Sequence, residues 1–260
     1  GTNHAEGSSA EAIAGGVGGR VAAQESVEIP FDGEAAVTII GIFAAIRLVE
    51  PERTQVFSNK SNWQNIKQTI HYVFVEKQEL KWLRMDAAVM AGATITIAWF
   101  AQPYFLFAEV PLVYYGILWT ALNLTVGVAS WFAHKVENRL TAFGLMLGVC
   151  VLIVGGYLGA AFSPAMVGIA FLFVVYIGRG IATPTFNNFI NKHASSDMRA
   201  TVLSIRSFMF RLIFAILAPF LGWMTDVYTI QEALLVAGII FGVVGFVCLW
   251  VIFGNDRTRV

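Results

Sequence analysis

From residue 83 onward the chain alternates long apolar stretches with short polar connections. Six stretches reach the roughly 20 residues that a helix needs to cross about 30 Å of hydrocarbon. They are 83–107, 113–132, 140–161, 165–190, 200–224 and 231–253, and Pro184 predicts a bend in the fourth. Inside a bilayer a helix satisfies all of its own backbone hydrogen bonds. We therefore predict an all-α, polytopic transmembrane helix bundle.

The composition agrees with this fold class. Hydrophobic residues make up 57% of the chain and charged residues 13%, against roughly 25% charged residues in a soluble domain. The first expected partner is the lipid bilayer, and no nucleic-acid partner is expected. Cys150 and Cys248 fall inside apolar spans and are interpreted as core residues. No CxxC or HxxxH spacing suggests a metal or cofactor, and no His, Asp or Ser cluster has catalytic spacing, so an enzyme is not predicted.

Lysine and arginine residues occupy every second connection. They are Lys135 and Arg139, Lys192 and Arg199, Arg257 and Arg259, and a basic segment before residue 85. The opposite connections, 107–113, 161–165 and 224–231, contain neither residue type. By the positive-inside rule the basic side is cytoplasmic, which predicts a cytoplasmic C-terminus in a plasma (inner) membrane.

The N-terminal part contains less regular segments. An apolar stretch at 35–49 is short for a span, and 10–23 is rich in Gly and Ala, so it is interpreted as the remnant of a longer helix. Between them and residue 83, Trp63, Ile66, Ile70 and Phe74 recur at spacings of three and four. That spacing predicts an amphipathic helix at the cytoplasmic surface. Because the chain begins at Gly1 with a short first span, we expect a fragment of a longer protein.

Three arginines lie well inside the predicted spans, away from their ends, where a charge costs about 2.5–3.5 kcal/mol on insertion scales. Arg211 lies 12 residues beyond Arg199, which places it about 18 Å into the membrane, near the midplane. Arg206 is nearer the surface and can snorkel. Arg179 is flanked by Gly178 and Gly180, which favour the close approach of another helix.

Polar side chains recur on single helix faces. Arg179, Thr183 and Asn187 follow at intervals of four and form one stripe, which can line a pathway or latch two helices together. Asn123 can contact a solute or bridge two helices, and Gln102, next to Pro103, is a similar candidate.

Other small or acidic residues have structural interpretations. The glycines at 144, 148, 155, 159, 238, 242 and 245 recur at short intervals and predict close helix packing. Asp86 and Asp226 lie near span ends. Either can exchange protons, but a hydrated ion pair or cap is the favoured interpretation.

Several segments carry a resemblance to one transporter family. The segments 178–188 (GRGIATPTFNN), 199–207 (RATVLSIRS) and 219–226 (PFLGWMTD) resemble helices 10 and 11 of major facilitator superfamily transporters, and 99–104 (WFAQPY) resembles helix 7. The resemblance implies the C-terminal half of that fold. Residues 1–50 would hold the remnant of helix 5 and helix 6, 51–82 the central cytoplasmic loop, 83–255 helices 7–12, and 256–260 the tail.

The resemblance also implies a cytoplasmic loop motif after helix 8. Its counterparts here are Ser130, His134, Lys135 and Arg139, and the Gly and Asp positions of the family motif are replaced. That departure leaves the gating role of this loop without support from the sequence.

The resemblance implies secondary active transport of a small solute by alternating access, together with a missing N-terminal repeat. A coupling proton is a further expected partner if the transport is proton-driven. Gln102, Asn123, Arg179, Asn187 and Arg211 are then the candidate cavity or gate residues. The alternative is a membrane scaffold or receptor that uses the same bundle without transporting a solute.

Overall fold

The computed structural model describes residues 78–193 and 199–254, together with helical residues at 38–39 and 41–42. Within these ranges six long helices follow one another: α1 Gln78–Phe107, α2 Tyr115–Glu137, α3 Ala142–Phe162, α4 Ala165–His193, α5 Arg199–Val227 and α6 Ile230–Gly254. All six are long and apolar enough to cross a membrane. The six predicted spans are therefore confirmed as helices.

The helices extend beyond the predicted spans at one or both ends. The first begins at Gln78 rather than at residue 83, and the fourth continues through Pro184 to His193. The amphipathic helix predicted before residue 78 lies outside the described residues. So do the N-terminal segments predicted within 1–50, apart from the two short helical pieces.

Short, capped connections make neighbouring helices antiparallel. A 3-10 turn at Leu112–Tyr114 leads into α2, and Thr141 Oγ1 accepts a 3.1 Å hydrogen bond from the Gly144 amide at the start of α3. Before α6, Thr229 and Glu232 form a reciprocal capping box, with amide-to-side-chain distances of 3.1 and 3.2 Å. These caps satisfy amides that a helix start leaves without intrahelical partners.

The helices form two layers. In the first layer α2, α4, α1 and α5 lie side by side, with α4 packed on α2 and α1, and α1 packed on α4 and α5. Behind it, α3 packs on α4, and α6 packs on α1 and α5. Helices α3 and α6 also pack on each other. The two ends of the first layer, α2 and α5, have the smallest buried shares of the described spans.

Buried tyrosines connect α1 to the back layer. The Tyr157 hydroxyl donates to the Ala93 carbonyl at 2.6 Å, and the Tyr104 hydroxyl donates to the Ala160 carbonyl at 2.9 Å. All three buried tyrosines of the core, at 104, 157 and 176, are fully enclosed. Because the hydroxyls of Tyr104 and Tyr157 donate to backbone carbonyls of the opposite helix, α1 and α3 are held in one register.

Glycine packing is confirmed at four of the seven predicted positions. A Cβ atom at Gly238 would lie 2.9 Å from Tyr157 Cβ, and one at Gly242 would lie 3.2 Å from Val154 Cγ1. A Cβ atom at Gly245 would lie 2.6 Å from Met90 Cε, and one at Gly159 would be closer still to the Phe171 ring. Among the described residues the prediction is wrong for Gly144, Gly148 and Gly155, because no atom of a neighbouring described helix lies within 4 Å of their Cβ positions.

Asp86 is not at a hydrated span end. Its side chain is 1% exposed, because α1 begins eight residues earlier at Gln78 and the neighbouring helices enclose it. The favoured interpretation as a hydrated ion pair or cap is therefore wrong for Asp86. In contrast, Asp226 is exposed, as expected. The two cysteines are both buried and free, as the sequence predicted.

Candidate functional site

Arg179 lies where α4 passes two other helices at close range. A Cβ atom at Gly178 would lie 2.9 Å from Ile153 Cγ1 of α3, and one at Gly180 would lie 2.6 Å from the Val126 carbonyl oxygen of α2. Successive helix residues are separated by about 100°. Arg179 therefore points from the part of the α4 surface that lies between the side facing α3 and the side facing α2. The close approach predicted from these glycines is confirmed for two helices at once.

The polar stripe of α4 lies on the side of α4 that faces α1. Gly168 contacts Tyr104 of α1, and Arg179 follows eleven residues later, which is about three turns and therefore nearly the same face. Arg179, Thr183 and Asn187 are all half-buried, and the Thr183 hydroxyl donates to the Arg179 carbonyl at 3.3 Å. The Arg179 guanidinium also lies 5.7 Å from the centre of the Tyr176 ring. The stripe is thus partly covered within the bundle.

At its C-terminal end the stripe is joined to α5. Arg206 Nη1 donates to Asn187 Oδ1 at 2.5 Å. Helices α4 and α5 have little other contact, so this bond is a main link between them. The Arg206 side chain is half-buried, with an Nε atom that has no partner among the described residues, and it does not simply snorkel to water. This is the arrangement expected of a latch between two helices.

Replacing Asn187 by alanine is expected to destabilise the protein by about 1–3 kcal/mol, because the half-buried Arg206 guanidinium loses its acceptor. The neighbouring substitution Asn188→Ala is the control. Asn188 bonds Glu137 Oε2 at 2.9 Å in an exposed position, so the expected change is within about 0.5 kcal/mol. Thermal unfolding in detergent measures both. Equal losses for the two variants would contradict a special role for the Asn187 bond.

Asn123 and Gln102 occupy different environments. Asn123 is 3% exposed, and its Nδ2 donates to the Trp119 carbonyl of its own helix at 3.0 Å. Gln102 is exposed on α1, on the same strip as Trp99 and Leu106, which are 66% and 72% exposed. Since α1 is otherwise the most enclosed described span, this strip is where its C-terminal half is uncovered.

Arg211 lies on an exposed face of α5 that differs from its apolar face. One strip carries the large exposed side chains Phe208, Leu212, Ile216 and Trp223, which are suited to lipid. The other strip carries exposed small or polar residues, namely Ser204, Ser207, Arg211 and Ala215. Small and polar residues are typical of helix contacts or water-lined surfaces at membrane depth. Arg211 thus lies on the second strip, beside the one suited to lipid and about 100° around the helix from Leu212.

The position of Arg211 also separates it from Arg206. Ile213 contacts Gly92 of α1, and Arg211, two residues earlier, lies about 200° around the helix from it. Arg211 is exposed, and its guanidinium lies 5.9 Å from the Phe210 ring centre. The structure therefore joins Asn187 to Arg206 but places Arg211 on the opposite side of α5.

The residues of the degenerate loop motif lie at the C-terminal end of α2. Ser130 is half-buried beside Gly180, whereas His134, Lys135 and Arg139 are exposed. Lys135 Nζ lies 5.3 Å from the Phe132 ring centre.

Two contacts were not predicted from the sequence. The Asn188 to Glu137 hydrogen bond joins the ends of α2 and α4, and Gly156 packs against Phe171 and Val175 of α4. The spacing of glycines could have suggested Gly156, but nothing in the sequence pairs Glu137 with Asn188. Within the described ranges no group of three His, Cys, Asp or Glu side chains is arranged to hold a metal ion.

The six-helix bundle, with cations and amides kept at membrane depth, defines an integral membrane protein of the polytopic, transporter-like class. The sequence matches the Major Facilitator Superfamily over residues 7–217, and the chain therefore belongs to that superfamily. It is a family of membrane transporters and not of enzymes.

Structure comparison gives a consistent result. The fold is similar to the crystal structure of a bacterial homologue of the human lysosomal transporter Spinster, in an inward-facing and unoccupied conformation, with a TM-score of 0.59 and 13% identity. The match covers 87% of this chain and 57% of the other, so this chain spans little more than half of that transporter's length. At this identity the likeness shows the fold alone. No curated protein matches the sequence.

Proposed function

We propose that the chain forms part of a secondary active transporter that moves a small solute by alternating access. In this proposal residues 83–255 are the helices 7–12 of the family, 51–82 the central loop, and 1–50 helix 6 with the remnant of helix 5. An N-terminal repeat of the same protein completes the pathway. The positive-inside pattern supports a cytoplasmic C-terminus in the plasma (inner) membrane.

One observation carries this proposal: α5 keeps Arg211 on a small and polar strip that runs beside its large apolar strip. A charge at membrane depth requires water, a polar partner or a solute group, because exposure to hydrocarbon is costly. The half-buried stripe of Arg179, Thr183 and Asn187 supplies further polar groups on α4. Gln102 and Asn123 complete the proposed cavity or gate residues.

Cysteine labelling tests whether this strip faces a water-filled pathway. In the complete transporter, with Cys150 and Cys248 replaced, Ala215→Cys is expected to react with a membrane-impermeant maleimide. Ile216→Cys, one residue later on the large apolar strip, is expected to stay unreactive. Equal reactivity at both positions would contradict a pathway on this face. A scaffold or receptor with no pathway would leave Ala215→Cys unlabelled from either side of the membrane.

A further inference from the structure

A carboxyl group lies inside the back of the bundle, away from the proposed pathway. Asp86 of α1 is 1% exposed, and neither of its oxygen atoms has a hydrogen-bond partner among the described residues. Buried carboxylates in proteins are ordinarily paired or hydrogen-bonded. Asp86 is therefore an exception that requires a physical explanation.

The pocket around Asp86 is formed by three helices and centred on Gly245 of α6. A Cβ atom at Gly245 would lie 3.9 Å from Asp86 Oδ1, 3.1 Å from Cys150 Sγ of α3 and 2.6 Å from Met90 Cε of α1. Cys248, three residues further along α6, is 1% exposed. The space between Gly245 and the Asp86 carboxyl group is thus bordered by a thiol and a thioether methyl group, which are weak hydrogen-bonding groups or none.

Charged groups on α1 itself and on the neighbouring helices point away from Asp86. Arg84 precedes Asp86 by two residues and so projects about 200° away from it around α1. On α5, Arg206 donates to Asn187, and on α4, Arg179 lies over the Tyr176 ring. Helix α3 presents the Cys150 thiol and α6 the Cys248 thiol. None of these groups donates a hydrogen bond to Asp86 in the described part of the chain.

An ionised carboxylate in such a pocket would lose its hydration without gaining a partner, at a cost of several kcal/mol. The neutral acid avoids most of that cost, because it carries no net charge and its hydroxyl hydrogen can point toward a sulfur atom. The enclosed pocket therefore favours the neutral, protonated form of Asp86 over the ionised carboxylate.

We propose that Asp86 is a proton-binding site of this protein, closed by the packing of α6 against α1 and α3. A proton from hydronium adds to one carboxylate oxygen when the pocket is open, leaving water, and the acid is retained when Gly245 closes over it. Movement of α6 would readmit water and favour release of the proton. This assignment concerns the proton alone and stands independently of the proposed solute pathway.

Infrared spectroscopy of the purified complete protein in lipid tests the site with protons as the probe. Wild-type protein is expected to show the carbonyl stretch of a protonated carboxyl group at neutral pH, where an exposed aspartate, with a pKa of about 3.9, is ionised. Asp86→Asn is expected to abolish that band. Asp226→Asn, at an exposed position, is the control and should leave it unchanged.

A measurement on the wild-type sequence covers the case in which Asp86→Asn does not fold. Protein made with aspartate carrying a ¹³C carboxyl carbon should show the same band shifted to lower frequency, which assigns it to an aspartic acid. Absence of a protonated carboxyl band at neutral pH, or a band that persists in Asp86→Asn, would overturn the proposal. Either negative result leaves the transport proposal untouched, because labelling of the α5 strip tests that separately.

Discussion

Replacing Arg211 by alanine in the complete transporter is expected to lower the rate of solute transport by about ten- to a hundredfold. Hydrogen bonds to charged groups are worth about 1.5–3 kcal/mol, and 1.4 kcal/mol corresponds to a tenfold change. Arg211 is exposed on the small and polar strip of α5, near the middle of that helix, so its guanidinium is available to an anionic solute group or to a carboxylate. Either role is lost with the side chain.

The assay is the initial rate of uptake into proteoliposomes, using the labelled solute that the wild-type protein selects from a panel. Arg211→Lys is expected to retain part of the activity, because it keeps the charge but loses the planar fork of the guanidinium. Lys81→Ala, at an exposed position near the start of α1, is the control for loss of a cation. Wild-type rates from normally folded Arg211→Ala would exclude Arg211 from the pathway.

Gly156→Ala is expected to destabilise the bundle by about 1–3 kcal/mol, the usual cost of overpacking. The added Cβ atom would lie 2.9 Å from the Phe171 carbonyl oxygen and 3.1 Å from the Val175 amide nitrogen, and still nearer the Val175 side chain. The first two atoms belong to the backbone of α4 and cannot rotate away. The helices must therefore separate to admit the methyl group.

The adjacent substitution Gly155→Ala provides a matched control. No other atom of the described residues lies within 4 Å of a Cβ atom at Gly155, so alanine there is expected to be neutral or to stabilise α3 by up to about 1 kcal/mol through helix propensity. Unfolding midpoints in detergent compare the two variants with wild type. The interpretation fails if Gly155→Ala is as unstable as Gly156→Ala.

Helix number and approximate limits could be predicted from the sequence, because the length and apolarity of a span are set locally by bilayer thickness. The neighbours of each side chain could not be predicted in the same way. Asp86 shows why: its distance from the first apolar residue suggested a hydrated end, but helix α1 begins earlier and α3 and α6 cover it. Burial of this kind depends on helices that are distant in the sequence.

In the candidate site, too, relations within one helix could be predicted from the sequence, whereas relations between helices could not. Periodicity correctly placed Arg179, Thr183 and Asn187 on one face of α4, since that relation lies within a single helix. It could not show that Asn187 accepts from Arg206, nor that Arg211 points away from that pair. These relations depend on how α4 and α5 are rotated against each other, and separate helical periodicities do not determine that rotation.

The sparse packing of α5 has a consequence for biosynthesis. This helix has the smallest buried share of the six described spans, and it carries both Arg206 and Arg211. A nascent segment with two cations partitions poorly into lipid by itself, because each arginine adds about 2.5–3.5 kcal/mol on insertion scales. Its entry into the bilayer during translation is therefore expected to depend on segments that are already present to shield its charges.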